Sequence, residues 1–154
     1  MKPRLSLKGR GLQILAQREH SRSELRRKLL VHAQKDAAEA GTATEEVEAV
    51  LDWLQAHRYL CEERFVESRV HARASRFGNL RIRRELAQHG VVLSADAAQQ
   101  LKDSELARAR EVWSRKFGQV AADATERARQ MRFLAGRGFS GEAIRRVVQG
   151  SEDE

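Results

Sequence analysis

One short pattern, an arginine pair bracketed by aliphatic residues, recurs three times and leaves the chain little freedom in how it folds. The copies read Leu25-Arg26-Arg27-Lys28-Leu29, Ile82-Arg83-Arg84-Glu85-Leu86 and Ile144-Arg145-Arg146-Val147-Val148. In each, aliphatic residues stand at i and i+4, which share one face of an α-helix, while i+1 and i+2 turn away from it. Every copy can therefore bury its aliphatic pair and hold its arginines towards solvent or a partner. Leu25, Leu29, Ile82, Leu86, Ile144 and Val148 are expected in the core.

The flanks repeat as well. Leu15-Ala16-Gln17-Arg18-Glu19-His20-Ser21 precedes the first copy and Leu134-Ala135-Gly136-Arg137-Gly138-Phe139-Ser140 the third, with Leu-Ala, Arg and Ser at the same offsets. Serine there is a good N-cap for the helix that follows. In the middle copy Gly78, after Phe77, takes the serine's place. The interval between copies suits three helices per repeat.

The fold class follows from what is missing. Pro3 is the single proline, so nothing interrupts a helix after it. Ala, Leu, Arg, Glu and Gln, all strong helix formers, dominate. Gly90-Val91-Val92-Leu93 is the one short β-branched run. An all-α protein is expected, built from tandem three-helix modules, resembling helix-turn-helix units, at 1–58, 59–103 and 104–154.

Helices are expected over 7–19 and about 22–33, with a polar stretch at 34–43 and a loop at Gly41-Thr42-Ala43-Thr44, where Thr44 caps the next helix. Val47, Val50, Leu51 and Leu54 then give the clearest amphipathic stripe. After Tyr59-Leu60-Cys61, a helix holding Phe65 and Val70 runs to Phe77-Gly78, and a basic one covers 79–89 with Gly90 at its C′ position. Ser94 caps a segment with Ala97, Ala98 and Leu101, and a separate helix carries Leu106, Ala109, Val112, Trp113 and Phe117. Helices over 121–137 and 141–149 complete the chain.

Formal net charge is +7, and it alternates along the chain. Residues 1–35 are strongly basic, 36–63 acidic, 64–93 basic, 94–107 mildly acidic and 108–150 basic, before the acidic Ser151-Glu152-Asp153-Glu154. Such patterning suits a polyanion or a protein surface of mixed sign. Cys61 is the single cysteine, which fits a reducing compartment. The N-terminus lacks the apolar stretch of a signal peptide, and no run approaches a membrane span. A cytoplasmic monomer is expected.

No catalytic constellation stands out. His20, His32, His57, His71 and His89 are scattered without metal-ligand spacing, and each reads as a surface or boundary residue. Phosphate-loop, dinucleotide and nucleophile-elbow motifs are lacking. Glu45, Glu46, Glu48, Glu62 and Glu63 read as carboxylates at helix N-termini, not as a metal cluster. The expectation is a binding protein without a cofactor, not an enzyme.

Three segments in order resemble the RecX family of recombinase regulators. They are Arg18-Glu19-His20-Ser21-Arg22-Ser23-Glu24-Leu25-Arg26-Arg27-Lys28-Leu29; Tyr59-Leu60 through Arg64-Phe65 to Gly78-Asn79-Leu80-Arg81-Ile82-Arg83-Arg84-Glu85-Leu86 and Gly90-Val91; and Phe133 to Ser140 with Ile144. Cys61 departs from the family's usual Asp or Asn, and Val66 from a small residue. The resemblance implies a curved, elongated array of three-helix modules that binds the RecA–single-stranded-DNA filament. It also implies inhibition of ATP hydrolysis, strand exchange and filament extension. Under that reading Arg26, Arg27, Arg83, Arg84, Arg145 and Arg146, with Arg22 and Arg81 nearby, are the candidate contacts to RecA or to single- or double-stranded DNA. Arginine suits both carboxylates and phosphates.

Two other readings compete. A direct helix-turn-helix DNA binder accommodates basic second helices, but no dimerisation helix is recognisable. A nonspecific single-strand binder would need aromatic platforms, whereas Trp53, Trp113, Phe117 and Phe133 fall at core-like helical positions.

Overall fold

Residues 5–36 and 40–150 are described by a computed structural model, and every regular element among them is an α-helix. The order is α1 (Leu7–Gln17), α2 (Arg22–Asp36), α3 (Ala40–Ala56), α4 (Glu62–Ala74), α5 (Asn79–Gln88), α6 (Ala95–Lys116), α7 (Ala124–Gly136) and α8 (Gly141–Val148). They form two compact units. The first takes the chain up to Ser68 together with His89–Val91; the second takes Arg69–Gln88 and the chain from Val92 onward. None of the helices described is long and apolar enough to cross a membrane.

In the first unit, α2 packs against α3, and α1 lies on both. Leu25, Leu29 and Ala33 of α2 meet Ala43, Val47, Leu51 and Leu54 of α3, with Leu60 beyond it. Gly11 lets α1 approach closely, because a Cβ there would stand 2.8 Å from Leu54 Cδ1. Ser6 caps α1 by accepting from the Gly9 amide. Ser21 caps α2 by accepting from the Glu24 amide at 3.1 Å, as the repeated flank suggests.

Helix α3 begins earlier than its composition suggests. Gly41 to Thr44 are helical, not a loop, and Thr44 lies inside the helix. Ala43 is fully buried, one turn before Val47 on the same stripe, so tertiary burial outweighs the weak helix propensity of Gly and Thr. Of the polar stretch at 34–43, residues 37–39 lie outside the described residues.

The second unit is built from α5, α6, α7 and α8 with the C-terminal part of α4. Its core joins Ala109 and Val112 of α6, Leu134 of α7, Phe139, and Ala143, Ile144, Val147 and Val148 of α8. Ile82, Leu86 and Leu101 are also buried. Helix α6 is continuous for 22 residues, where the sequence suggested two segments. Between the two, the Ser104 hydroxyl is satisfied inside the helix: it donates to the Leu101 carbonyl and accepts from Arg108 Nε.

The N-terminus of α5 explains why glycine replaces serine in the middle repeat. A Cβ on Gly78 would fall 2.3 Å from the Phe139 nitrogen and 2.4 Å from Gly138, so the turn between α7 and α8 leaves no room for one. The open amides are satisfied from elsewhere. Gly78 N–H donates to the Arg137 carbonyl at 2.8 Å, and Leu80 N–H to the Gly138 carbonyl at 3.0 Å. Asn79 N–H donates to Glu105 Oε2 at 2.9 Å, which gives the buried Glu105 a partner at the positive end of a helix. Helix α5 is capped by residues far along the chain.

Candidate interaction surface

All six aliphatic residues of the repeated pattern are at most 5% exposed. Each burial is worth about 1.5–3 kcal/mol, so the pattern anchors its own helix. With the aliphatic residues inside, the arginines of each copy point outward, but their surroundings differ.

On α2, the arginines face the acidic side of α3. Arg22 donates to Glu48 at 2.9 Å, to Asp52 at 2.7 Å and to Gln55 at 2.6 Å. Arg26 Nε reaches Glu48 Oε1 at 2.5 Å. Hydrogen bonds from Arg26 and then Arg22 hold the Glu48 carboxyl below its ordinary range. The acidic segment thus neutralises part of the basic one that precedes it. Arg27 is exposed and makes no ion pair among the described residues.

On α5, Arg83 and Arg84 are exposed and make no ion pair among the described residues; Glu85 is engaged by Arg69 and Arg73 of α4 instead. Arg81 lies over the Phe77 ring, 4.0 Å from its centroid. On α8, Arg145 and Arg146 are exposed, with Arg145 Nε 3.4 Å from the Gly141 carbonyl. Within the second unit, α5 and α8 therefore each present an arginine pair.

Two features escaped the sequence reading. Phe77, Phe117 and Phe133 are half-buried rings that carry cations, not full core residues. Arg76 and Arg137 lie 5.5 Å from Phe77; Arg137 is also 5.2 Å and Lys116 5.5 Å from Phe133. Phe117 meets Phe133 edge-on at 5.4 Å, with Arg129 5.8 Å from it. Of the cation–ring neighbours in the sequence, Arg76-Phe77 becomes such a contact, while Phe117 takes its cation from Arg129, and Phe133 takes its own from Lys116 and Arg137. Trp53 and Trp113 are half-buried too, and Lys8 covers Trp53 at 4.0 Å.

The second feature is His20, expected as a surface or boundary residue but 1% exposed. Its Nδ1 lies 2.9 Å from the Arg18 carbonyl, which can only accept, so Nδ1 carries the proton. Nε2 then accepts from the Lys28 ammonium at 2.7 Å. Burial pulls the imidazole pKa below its ordinary value, and the backbone bond to Arg18 only partly opposes this. Beside it, burial pushes the Glu24 carboxyl up, but the bonds and charge of Arg18 outweigh that and hold it at about 2. His89 closes the cluster: its Nδ1 bonds the Ser21 hydroxyl, and its carbonyl accepts from Ser23.

Residues 62–92 match the model of the RecX second three-helix domain, and residues 103–148 that of the third. A Leptothrix cholodnii protein named "Regulatory protein RecX" is 52% identical over 99% of this chain and 94% of its own length. The chain belongs to the RecX family. Relatives of the same name from Ralstonia nicotianae and Herminiimonas arsenicoxydans are 48% and 47% identical, over 96% and 99% of the chain. The two family-model matches take in α4 and α5, and the greater part of α6 with α7 and α8. The three-helix RecX modules thus contain the exposed pairs on α5 and α8. This is a family of regulatory proteins, in keeping with repeated helical modules that present arginines.

Proposed function

We propose that this RecX-family protein acts as a cytoplasmic monomer of three modules, 1–58, 59–103 and 104–154. It binds the RecA–single-stranded-DNA filament and inhibits ATP hydrolysis, strand exchange and filament extension. The observation that carries this reading is the relationship to regulatory RecX proteins over nearly the whole chain. The exposed pairs Arg83/Arg84 and Arg145/Arg146 support it, since repeated cationic groups suit a partner that itself repeats. Linked modules on neighbouring protomers gain effective concentration without any new contact. Arg27 and Arg81 are further candidate contacts, each in its own unit, while Arg22 and Arg26 shape the first unit through α3 and contribute to binding only by exchanging partners.

The test is RecA ATPase on excess single-stranded DNA while the protein is titrated in. Inhibition is expected well below one molecule per protomer, and the Arg83→Ala/Arg84→Ala variant should need about tenfold more protein, the equivalent of 1.4 kcal/mol. No inhibition at stoichiometric protein would overturn the reading.

A further inference from the structure

The second unit contains a cavity of about 280 Å³ lined by Arg76, Val112, Arg115, Lys116, Phe133 and Arg137. Two chemistries meet in its wall. Four cations surround it, and no carboxylate among the described residues bonds any of them. Arg115 is instead held by a backbone group, donating to the Ser75 carbonyl at 2.7 Å, and Arg137 is shared between the rings of Phe77 and Phe133. Like charges gathered without counter-charge repel one another, and ring faces offset this only in part. An anion would relieve it.

An anion alone does not account for the Phe133 ring and Val112 in the same wall. An apolar, aromatic surface bordered by cations suits a ligand that joins a flat ring to a phosphate. We propose that this cavity is a subsite for one nucleotide, with phosphate oxygens between Arg115, Lys116 and Arg76 and the base against Phe133. Bases pack on aromatic side chains whatever their sequence, and basic groups follow the backbone. In a duplex the base faces are stacked inside, so the nucleotide must come from a single strand or be free. An acidic peptide would satisfy the cations but add nothing to the contacts that the ring already makes with Arg137, Lys116 and Phe117. The proposal does not rest on the recombinase reading, because it concerns the protein alone.

The experiment is a fluorescence-polarisation titration of labelled oligo-dT with the full chain over a range of salt concentrations, with unlabelled ATP and poly-glutamate as competitors. Phe133→Leu keeps apolar volume but removes the ring face, and affinity should fall about tenfold. Phe133→Tyr should restore it, which separates stacking from misfolding. Arg115→Ala/Lys116→Ala should lower the slope of log affinity against log salt by about 1.4, two phosphate contacts on a single strand. Lys102→Ala, an exposed cation elsewhere on α6, should leave affinity and slope unchanged. Displacement by ATP would support the site with a free nucleotide as its source; binding that ATP cannot displace would support it with a strand. The proposal fails if neither oligo-dT nor ATP binds, or if Phe133→Leu binds like the parent. It also fails if the double variant changes the slope no more than Lys102→Ala, or if poly-glutamate competes equally with parent and Phe133→Leu.

Discussion

Helices α2 and α5 carry the same pattern and treat it in opposite ways. Helix α2 caps itself with Ser21 and ties Arg22 and Arg26 to carboxylates on α3. Helix α5 has no capping side chain of its own, takes its cap from Glu105 and the α7–α8 turn, and leaves Arg83 and Arg84 exposed. The buried half of the motif is common to both and fixes the helix. The arginine half is whatever the facing element makes of it: structural where a carboxylate faces it, available where none does. Sequence identity between repeats therefore does not carry identity of role.

The contrast can be broken at several points, and the two tryptophans help, since Trp53 lies in the first unit and Trp113 in the second. The largest effect is expected from Gly78→Ala, which forces a methyl group into the α7–α8 turn. A loss of about 3 kcal/mol, the upper end for overpacking, should appear in urea unfolding followed through Trp113. Gly136→Ala, where a Cβ meets open space, should not destabilise.

Acidification should act on the first unit next. His20 has a folded pKa below its ordinary 6.5, so the folded state favours the neutral ring. Its contribution is complete above 6.5 and is lost as pH falls below that value, because the unfolded chain then binds the extra proton. Glu24 adds a second loss between its ordinary 4.5 and about 2. Urea midpoints read through Trp53 should fall between pH 7 and 5 in the parent, and His20→Gln should flatten that fall. A parent profile that is level over this range would contradict the buried neutral histidine.

The smallest effect separates the two arginine pairs directly. Glu48→Gln removes the carboxylate shared by Arg22 and Arg26 and should cost no more than about 1 kcal/mol, less at high salt. Arg83→Ala/Arg84→Ala should leave stability within about 0.5 kcal/mol. Equal costs for the two changes would remove the distinction between structural and available arginines.

What the sequence made legible was whatever is local. The i, i+4 aliphatic pairs, the serine caps and Gly90 in a left-handed conformation (φ +73°) all follow from helical period and backbone sterics. What it hid depends on residues far apart. The pairing of Arg22 with Asp52 needs α2 and α3 to meet, although the basic 1–35 and acidic 36–63 blocks carried a hint of it. Ala43 reads as loop until its burial is known, and Leu101 and Leu106 read as parts of two segments although one helix carries both. His20 reads as a surface or boundary residue because nothing nearby in sequence announces Lys28 as its partner. Phe117 and Phe133 read as core-like by periodicity, which reports the direction of a side chain but not what covers it.

The borrowed cap of α5 bears on how the protein is made. During synthesis the chain emerges from its N-terminus, and the first unit's α2 carries its own cap from the moment Ser21 and Glu24 are out. The amides of Gly78 and Leu80 find their acceptors only once Arg137 and Gly138 have followed. Glu105 reaches the Asn79 amide earlier, but until Arg137 and Gly138 follow, the Gly78 and Leu80 amides are left to water. The arginine pair therefore becomes firmly presented only once the turn between α7 and α8 has been made, so chains that stop in α6 would carry the residues on a helix with an incomplete cap.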